Sequence, residues 1–418
     1  MNQSKTAYIT SMGSYLPGPP ISNDEMESVL GMIHGKPSRL RSRILKNNGI
    51  LTRHYALDKN QNSTHQNSEL AAQAIRNCLN RASVDASAID HLAAATTQGD
   101  FGVPGFASMV QAEVKIPPCE ILTTHGVCSS GVMALKSAAN QVRLGEKKNA
   151  LVCASELVSR MLKHTRYEQT GRDMDFEGEF LRWMLSDGAG AALLQSRPRV
   201  NGISLRIDWI ELISYASDFD VCMYLGTSSP GDWSGVQSER ESSHVGINHD
   251  QEVEKGASSA RSRSAVAQME RPQPVYRSWQ DYPSCAEAEK AGAMIIRQNL
   301  RILDNIVKVG VEGALKLINS GKLNLKEIDH VLCHYSSHHF RGQIFELLKL
   351  AGAMVPEERW FTNLYYKGNT GCASIFIMLE ELFASGRLKP GEEIFCIVPE
   401  SGRFNTGYIK LTVVEGGD

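Results

Sequence analysis

Several features that mark common classes of protein are missing from this chain of 418 residues. It has no run of about 18 consecutive apolar residues, so an ordinary membrane-spanning helix is not expected. Its first residues, MNQSKTAYITSMGSYLPG, lack the apolar core of a secretion signal. The formal net charge is only -2, which gives no basic excess for binding nucleic acid. We therefore expect neither a membrane nor a nucleic acid as a partner.

The nine cysteines show no pairing pattern. Their number is odd, their spacing is irregular and no CxxC motif occurs, which argues against a disulfide framework and against a zinc site. Cys153 in ALVCAS and Cys396 in IFCIV lie in apolar runs, as buried cysteines do. His334 and His338 have the spacing of a helical metal pair, but no third ligand is evident. We expect no metal, no cofactor and a cytoplasmic location.

The composition is that of a globular protein, with 42% hydrophobic and 22% charged residues. Within it lies an internal repeat, because IDHLAAAT at 89–96 is matched by IDHVLCHY at 328–335. Each segment follows an amphipathic stretch, SELAAQAIRNCLNRA in one case and VGVEGALKLINSG in the other. This order predicts a helix, a turn and a buried strand at both places.

A second pair of segments extends the repeat. GVCSSGVMAL, which begins at Gly126, is similar to GNTGCASIFIML, which begins at Gly368. Each runs from small residues into an apolar helix and is followed by a turn and an apolar strand, ALVCAS or IFCIVP. Alternating strands and helices predict an α/β fold of two similar halves. Corresponding loops of the two halves then face each other and can build one site.

The predicted halves occupy residues 1–200 and 286–418, joined by a connecting segment at 201–285. Within that segment, about 227–277 is rich in Ser, Gly, Glu, Arg and Pro and has almost no apolar periodicity. Such a long insertion is either a solvated excursion or a functional cover or partner contact. The residues alone leave both interpretations open.

Cys128 lies in HGVCSSG, between a strand-like run and a predicted helix. Backbone N–H groups and the helix dipole at such a turn stabilise a thiolate, which is the nucleophilic form of cysteine. Taken alone, the position also fits an ordinary buried cysteine. His334 follows a predicted strand, and Asn369 lies in KGNTGCAS, the turn that corresponds to the Cys128 turn. Cysteine, histidine and asparagine together form a known nucleophilic combination.

The order of these motifs resembles that of the type III ketoacyl synthases of the thiolase superfamily. HGVCSSG, DGAGAALL, the histidine of HYSSH and GNTGCAS occur in that family's order, and ITSMGSYLPG and GILTRHYA are also similar. The resemblance extends over nearly the whole chain apart from 227–277. It implies a thiolase-like fold with duplicated αβαβα layers and a homodimer.

The resemblance also implies the roles of individual residues. Cys128 would take an acyl group from a thioester, and His334 and Asn369 would hydrogen-bond the carbonyl of the second substrate. The backbone N–H groups of Cys128 and of Gly402, in PESGRFNTG, would form the oxyanion hole. Both steps develop negative charge on a thioester oxygen, so donors are needed at two places around one sulfur.

Three departures from the family pattern concern substrate binding. Val103 replaces a bulky aromatic residue that limits the acyl pocket across the dimer interface, which predicts a roomier pocket. Arg43 stands where a tryptophan stacks on coenzyme A. Glu156, after ALVCAS, is either an auxiliary base or a loop carboxylate in an ion pair.

A basic stretch surrounds Arg43. It is either a solvated helix face or a docking patch for the phosphopantetheine phosphate and acidic surface of an acyl carrier protein. Its members are Arg39, Arg41, Arg43 and Lys46.

The predicted reaction is a decarboxylative or carbanion Claisen condensation between a Cys128-bound acyl group and a malonyl or β-ketoacyl thioester, carried by acyl carrier protein or coenzyme A. The departures favour secondary metabolism and resemble the ketosynthase-cyclases that form dialkylresorcinol or stilbene-type rings. Three alternatives stay open: an acyltransferase to an alcohol or amine, a type III polyketide synthase, and a catalytically silent carrier-binding subunit.

Overall fold

The computed structural model describes residues 6–171, 174–229 and 275–416. Of the predicted insertion, residues 230–274 lie outside these ranges. The described strands are β1 Tyr8–Tyr15, β2 Ile21–Ser22, β3 Thr52–Arg53, β4 His91–Thr96, β5 Glu120–His125, β6 Asn149–Glu156, β7 Gly188–Gln195, β8 Ile203–Ser214, β9 Met223–Leu225, β10 Thr227–Ser229, β11 Val275–Arg277, β12 Ile296–Gln298, β13 Ile328–Cys333, β14 Trp360–Phe361, β15 Glu393–Glu400 and β16 Asn405–Glu415.

The helices alternate with these strands. The α-helices are α1 Met26–Leu30, α2 Arg41–Asn48, α3 Asn67–Ala82, α4 Phe106–Val114, α5 Ser130–Leu144, α6 His164–Glu168, α7 Phe176–Phe180, α8 Cys285–Ala291, α9 Leu300–Leu303, α10 Asn305–Asn319, α11 His338–Leu350, α12 Leu364–Lys367 and α13 Ser374–Ala384. Short 3-10 helices lie at Ile33–Gly35, Ala86–Ala88, Val158–Met161, Leu181–Trp183, Trp279–Asp281, Glu357–Arg359 and Gly371–Ala373. No helix in the described ranges is both long and apolar enough to cross a membrane.

The main sheet contains the same five-strand pattern twice. Its order is β14-β13-β15-β16-β8-β1-β7-β6-β4-β5. In the first half β7 pairs antiparallel with β1 and β6, and β4 pairs parallel with β6 and β5. In the second half β16 pairs antiparallel with β8 and β15, and β13 pairs parallel with β15 and β14. The halves join where β1 and β8 pair antiparallel. The prediction of two similar halves is therefore confirmed.

The predicted repeats occupy equivalent places in this pattern. IDHLAAAT and IDHVLCHY supply β4 and β13, and ALVCAS and IFCIVP supply β6 and β15. Strand β8 holds in the second half the place that β1 holds in the first, so the second half begins inside the segment 201–285 that the sequence predicts as a connection. The apolar runs follow from burial, because β4 is buried at every position and covered on both faces.

Helices cover the sheet in the layers that the family resemblance implies. Helices α5 and α13 share one core with strands of both halves, which makes them the central layer. Helices α3 and α4 pack on the outer face of the first half, and α10 packs on β15 and β16 of the second half. The central helices come very close at Gly131. A Cβ atom there would lie 2.8 Å from the carbonyl oxygen of Cys372 and 2.8 Å from the Phe376 ring.

The described residues within 225–294, namely 225–229 and 275–294, belong to a separate compact unit. Its strands β10 and β11 pair antiparallel, with Ser228 opposite Tyr276. Helix α8 begins after Ser284, whose hydroxyl oxygen accepts a hydrogen bond from the backbone N–H of Glu287. This unit contains both ends of the predicted 227–277 insertion.

Candidate active site

The site is built around the loop between β5 and α5. Cys128 lies in that loop, with an exposed fraction of 7%, and lines a pocket of about 500 Å³. Asn369 and Glu156 line the same pocket, so residues from both halves meet there. The apolar wall includes Phe180, Leu181, Met184, Leu185, Leu303 and Phe340.

The electrostatic environment of Cys128 differs from the sequence prediction. Burial raises the pKa of the Cys128 thiol well above its ordinary value, and the carboxylates of Glu400 and Glu156 raise it further. The backbone contribution near the start of α5 acts in the opposite direction but is the weakest of these effects. Desolvation and the carboxyl groups of Glu400 and Glu156 thus act against the thiolate that the sequence predicts at this helix start. The nucleophile therefore needs a proton acceptor.

The position of Asn369 is fixed by two hydrogen bonds that its backbone makes with the segment before β7. Its N–H donates to the carbonyl oxygen of Met184 at 3.3 Å, and its carbonyl oxygen accepts from the N–H of Ser186 at 2.8 Å. The side-chain Oδ1 accepts from the N–H of Gly371 at 3.0 Å. With Oδ1 engaged, the side-chain amide NH2 is the group that can donate to a substrate carbonyl.

His334 follows β13, and its backbone N–H donates to the carbonyl oxygen of Ile397 at 2.9 Å. The side chain is 4% exposed, and burial lowers its pKa to about 4, so the imidazole is neutral at pH 7. Its Nε2 is buried without a hydrogen-bond partner in the described part of the chain. His334 lies two residues before Ser336, which lines the pocket. His334 itself is not among the residues that line the pocket, and its neutral imidazole carries one ring N–H that can donate a hydrogen bond.

The alternative use of His334 as a metal ligand gains no support from its neighbours. His338 Nδ1 lies 2.8 Å from the hydroxyl oxygen of Tyr365. Among the residues that the structure describes, no group of three His, Cys, Asp or Glu side chains could hold a metal ion.

Glu156 is the last residue of β6 and is 1% exposed. Its carboxylate accepts hydrogen bonds from the hydroxyl of Thr97 at 2.6 Å and from the N–H of Cys372 at 3.2 Å. These partners are neutral, and burial raises the pKa of the carboxyl. Of the two interpretations from the sequence, these contacts favour a carboxyl that can exchange a proton in the pocket over one held in an ion pair.

Glu400, the last residue of β15, is a site residue that the sequence reasoning missed. Its Oε2 accepts from the N–H of Ser129 at 2.9 Å and from the Ser129 hydroxyl at 2.6 Å. Burial raises the pKa of this carboxyl as well. The internal repeat could have identified it, because Glu400 is the last residue of β15 as Glu156 is the last residue of the equivalent strand β6.

The predicted oxyanion residue Gly402 lies beside this carboxyl. A Cβ atom at Gly402 would lie 3.1 Å from Glu400 Oε1 and 3.1 Å from Val127 Cγ2. Ser401, its neighbour, lines the pocket. The structure thus brings the Gly402 loop against the Cys128 loop, while the oxyanion role itself stays a prediction.

The predicted substrate-contacting residues outside the pocket lie at the surface. Val103 is 85% exposed and is not part of the pocket wall of this chain. In the basic stretch, Arg39, Arg43 and Lys46 are exposed. Arg41 is instead tied to Glu27 by an ion pair of 3.1 Å. Helix α2 packs against the 3-10 helix that contributes Leu181 and against α11, which contributes Phe340. The basic side chains therefore lie on an element next to the pocket.

Two family models match the chain. "Thiolase, N-terminal domain" matches residues 52–188, and "3-Oxoacyl-[acyl-carrier-protein (ACP)] synthase III C terminal" matches residues 318–402. The chain belongs to the type III ketoacyl synthases of the thiolase superfamily. It is a condensing enzyme of the acyltransferase class.

Individual relatives agree with this assignment. The chain is 27% identical to a β-ketoacyl-[acyl-carrier-protein] synthase III of Clostridium perfringens over 396 residues, 94% of this chain and 95% of that protein. It is 29% identical to synthase III 1 of Lactiplantibacillus plantarum over 203 residues, 49% of this chain and 55% of that protein.

Solved structures share the fold. The tetronic acid condensing enzyme AbyA1 is 21% identical, with a TM-score of 0.69 over 97% of this chain and 99% of that one. A Xanthomonas campestris OleA variant with bound lauric acid and lauroyl-CoA is 17% identical, with a TM-score of 0.68 over 98% of this chain and 99% of that one.

Proposed function

We propose that the protein joins two acyl chains by carbon–carbon bond formation, one bound to Cys128 and one carried as a malonyl or β-ketoacyl thioester. The observation that carries this proposal is the shared pocket, in which Cys128, Asn369 and Glu156 meet from both halves. The substrates would be linked through phosphopantetheine to an acyl carrier protein or to coenzyme A. No cofactor is part of the proposal.

The side chains of Asn369 and His334 are neutral hydrogen-bond donors, which suits the condensation step of this reaction. An enolate forms when the second thioester loses carbon dioxide or a proton, and its charge collects on the thioester oxygen. The amide of Asn369 and the neutral imidazole of His334 can both donate to that oxygen. In the acyl-transfer step, the backbone N–H groups of Cys128 and Gly402 would donate hydrogen bonds to the oxyanion.

Glu156 supports a β-ketoacyl partner. Such a thioester has no carboxyl group next to its reacting carbon, so an enolate forms only if a base removes the α-proton. A buried carboxyl with a raised pKa is suited to accept that proton near neutral pH. We therefore assign Glu156 as the base of the condensation.

On this basis we place the enzyme in secondary metabolism, in the formation of dialkylresorcinol or stilbene-type rings. AbyA1, a structural neighbour, is described as a tetronic acid condensing enzyme, and OleA is described with lauric acid and lauroyl-CoA. A tetronic acid condensing enzyme and an enzyme described with a fatty acid and its coenzyme A thioester therefore share this fold.

A homodimer is also proposed. Strand β5 ends the sheet order, and four of its six residues are exposed while the other two are half-buried. Val103 is 85% exposed on the loop after β4. Association along β5 would cover this edge, and the family resemblance implies that Val103 then contributes to the partner's acyl pocket. Size-exclusion chromatography with light scattering would give twice the monomer mass, whereas a monomer would contradict the dimer. A cytoplasmic location stays a prediction.

The test of the reaction compares two partner thioesters. Acyl-primed enzyme is mixed with malonyl-carrier or β-ketoacyl-carrier protein, and products are identified by mass spectrometry. We expect a product with a new carbon–carbon bond from the β-ketoacyl partner and its loss in Glu156→Gln, with the exposed Glu146→Gln as a control. Turnover with the malonyl carrier alone would contradict the β-ketoacyl assignment. An ester or amide product would indicate an acyltransferase.

A further inference from the structure

The two equivalent strands β6 and β15 each end in a buried glutamate. Each carboxyl reaches the loop of the other half, because Glu156 accepts from the N–H of Cys372 and Glu400 accepts from the N–H of Ser129. Glu156 therefore lies on the asparagine side of the site. Glu400 lies on the cysteine side, because it is hydrogen-bonded to Ser129, which directly follows the nucleophile Cys128 in the sequence.

Glu400 is enclosed by the loops that carry out acyl transfer. A Cβ atom at Gly126 would lie 3.6 Å from its Oε2, and a Cβ atom at Gly402 would lie 3.1 Å from its Oε1. The side chain is 7% exposed. The carboxylate thus occupies the space between the Cys128 loop and the predicted oxyanion donor. Its hydrogen bonds to Ser129 place it at the start of α5, where a negative charge is favoured.

This position creates a conflict of charges. A thiolate at Cys128, an oxyanion near Gly402 and an ionised Glu400 would be neighbours, because the Glu400 carboxyl contacts both the Ser129 backbone and the Gly402 loop and its negative charge acts on Cys128. Like charges this close cannot all be ionised together without a large cost. The conflict disappears if the proton that leaves Cys128 moves to Glu400, because the carboxyl is then neutral when the oxyanion forms.

The other titratable groups of the site do not offer a better acceptor. His125, the last residue of β5, favours the ionised form of Glu400, while burial disfavours it. Glu156 is hydrogen-bonded to Thr97 and Cys372 on the asparagine side of the site, whereas Glu400 is hydrogen-bonded to Ser129, the residue next to Cys128. His334, from β13, holds a proton weakly, with a pKa of about 4.

We propose that Glu400 is the proton acceptor of the acyl-transfer step. This inference rests on the proposed function, since it requires Cys128 to be acylated. The Cys128 sulfur bonds to the thioester carbonyl carbon as its proton passes to the Glu400 carboxylate. The tetrahedral intermediate then collapses, the bond between carbonyl carbon and carrier sulfur breaks, and Glu400 returns the proton to the departing thiolate. The carrier leaves as a thiol, and Glu400 is again ionised.

The test is single-turnover acylation of the full-length protein by octanoyl-CoA, followed by rapid quench and intact mass, from pH 5.5 to 9.5. If Glu400 is the acceptor, the acylation rate of the wild type stays constant through neutral pH. This range lies above the pH at which Glu400 ionises and below the pH at which Cys128 ionises. In Glu400→Gln the amide oxygen can still accept from Ser129, but the acceptor is lost. We expect a rate about 100-fold lower at pH 7 that climbs about tenfold per pH unit, with the half-saturating octanoyl-CoA concentration unchanged.

Glu146→Gln, at an exposed position, should match the wild type throughout. A Glu400→Gln protein acylated at the wild-type rate at pH 7 would overturn the inference, since a purely structural carboxyl would not alter the pH profile. If that variant does not fold, as judged by circular dichroism, the wild-type profile decides. A level profile supports the inference, and a rate that climbs tenfold per unit from pH 6 to 9 overturns it. Absence of any label on wild-type Cys128 would instead refute the proposed function.

Discussion

The close approach of the two central helices at Gly131 gives a quantitative prediction. At Gly131 an added methyl group would lie 2.8 Å from the backbone carbonyl oxygen of Cys372, whereas an ordinary contact needs about 3.4 Å or more. The backbone cannot yield as a flexible side chain would, so α5 must move by about 0.6 Å away from the 3-10 helix Gly371–Ala373 that leads into α13. Gly131→Ala gains up to about 1 kcal/mol of helix propensity but loses about 1–3 kcal/mol to overpacking. We expect a net destabilisation of about 1–2 kcal/mol.

The same shift should reduce activity. Helix α5 follows Cys128 and α13 follows Asn369, so separating the helices separates the two halves of the site. A displacement of about 1 Å at a reacting group can cost about 100-fold in rate, so a fall in kcat of about tenfold is expected for 0.6 Å. Urea denaturation followed by circular dichroism measures the stability, and steady-state kinetics measures kcat.

Gly342→Ala is the matched control. Gly342 lies in α11, and a Cβ atom there meets nothing within 4 Å. This variant should be more stable than the wild type by about 0.5–1 kcal/mol, with unchanged kcat. If Gly131→Ala is as stable and as active as Gly342→Ala, the close approach of α5 and α13 does not constrain the site.

Three further predictions concern pH, a buried carboxylate and carrier docking. Because the pKa of His334 is lowered in the folded protein, the unfolded chain binds a proton at this histidine at a higher pH than the folded chain does. The unfolding free energy of the wild type, relative to that of His334→Gln, should therefore fall by about 3 kcal/mol as the pH is lowered from 6.5 to 4 in urea titrations. A difference that stays constant with pH would refute this. Asp187 accepts the N–H groups of Ala56 and Ser159, so Asp187→Ala should destabilise by about 2–4 kcal/mol in the same assay at pH 7, whereas a loss under 1 kcal/mol would contradict that role. The double variant Arg43→Glu, Lys46→Glu should raise KM for acyl-carrier protein about tenfold at low salt and leave KM for acyl-pantetheine unchanged; an equal effect on both substrates would contradict a carrier-docking patch.

The duplicated fold could be predicted from the sequence because its signals are local. Buried strands such as β4 and β13 read as apolar runs, and the small residues before α5 and α13 mark loops at matching places. Once the duplication is recognised, Cys128 and Asn369 must approach each other. Strand β8 was not predicted from the sequence, because its buried and exposed residues do not alternate regularly. Its place is fixed by pairing with β1 and β16, which are far away in the sequence.

The electrostatics of the site could not be predicted in the same way. Whether Cys128 holds its proton depends on burial and on Glu400, which is 272 positions further along the chain. The engagement of Arg41 by Glu27 likewise arises from tertiary packing and not from the pattern of the basic stretch. Sequence motifs identify which groups can react, whereas the surrounding charges that set their protonation come from chain segments brought together only by folding.

The central claim is that Cys128 carries the acyl group that is extended. Intact-protein mass spectrometry of the wild type and of Cys128→Ala, after incubation with a panel of acyl-carrier and acyl-CoA thioesters, tests this most directly. The account predicts one added acyl mass on the wild type, none on the variant, and disappearance of that mass when the second thioester is added. Labelling of both proteins, or of neither, would contradict it.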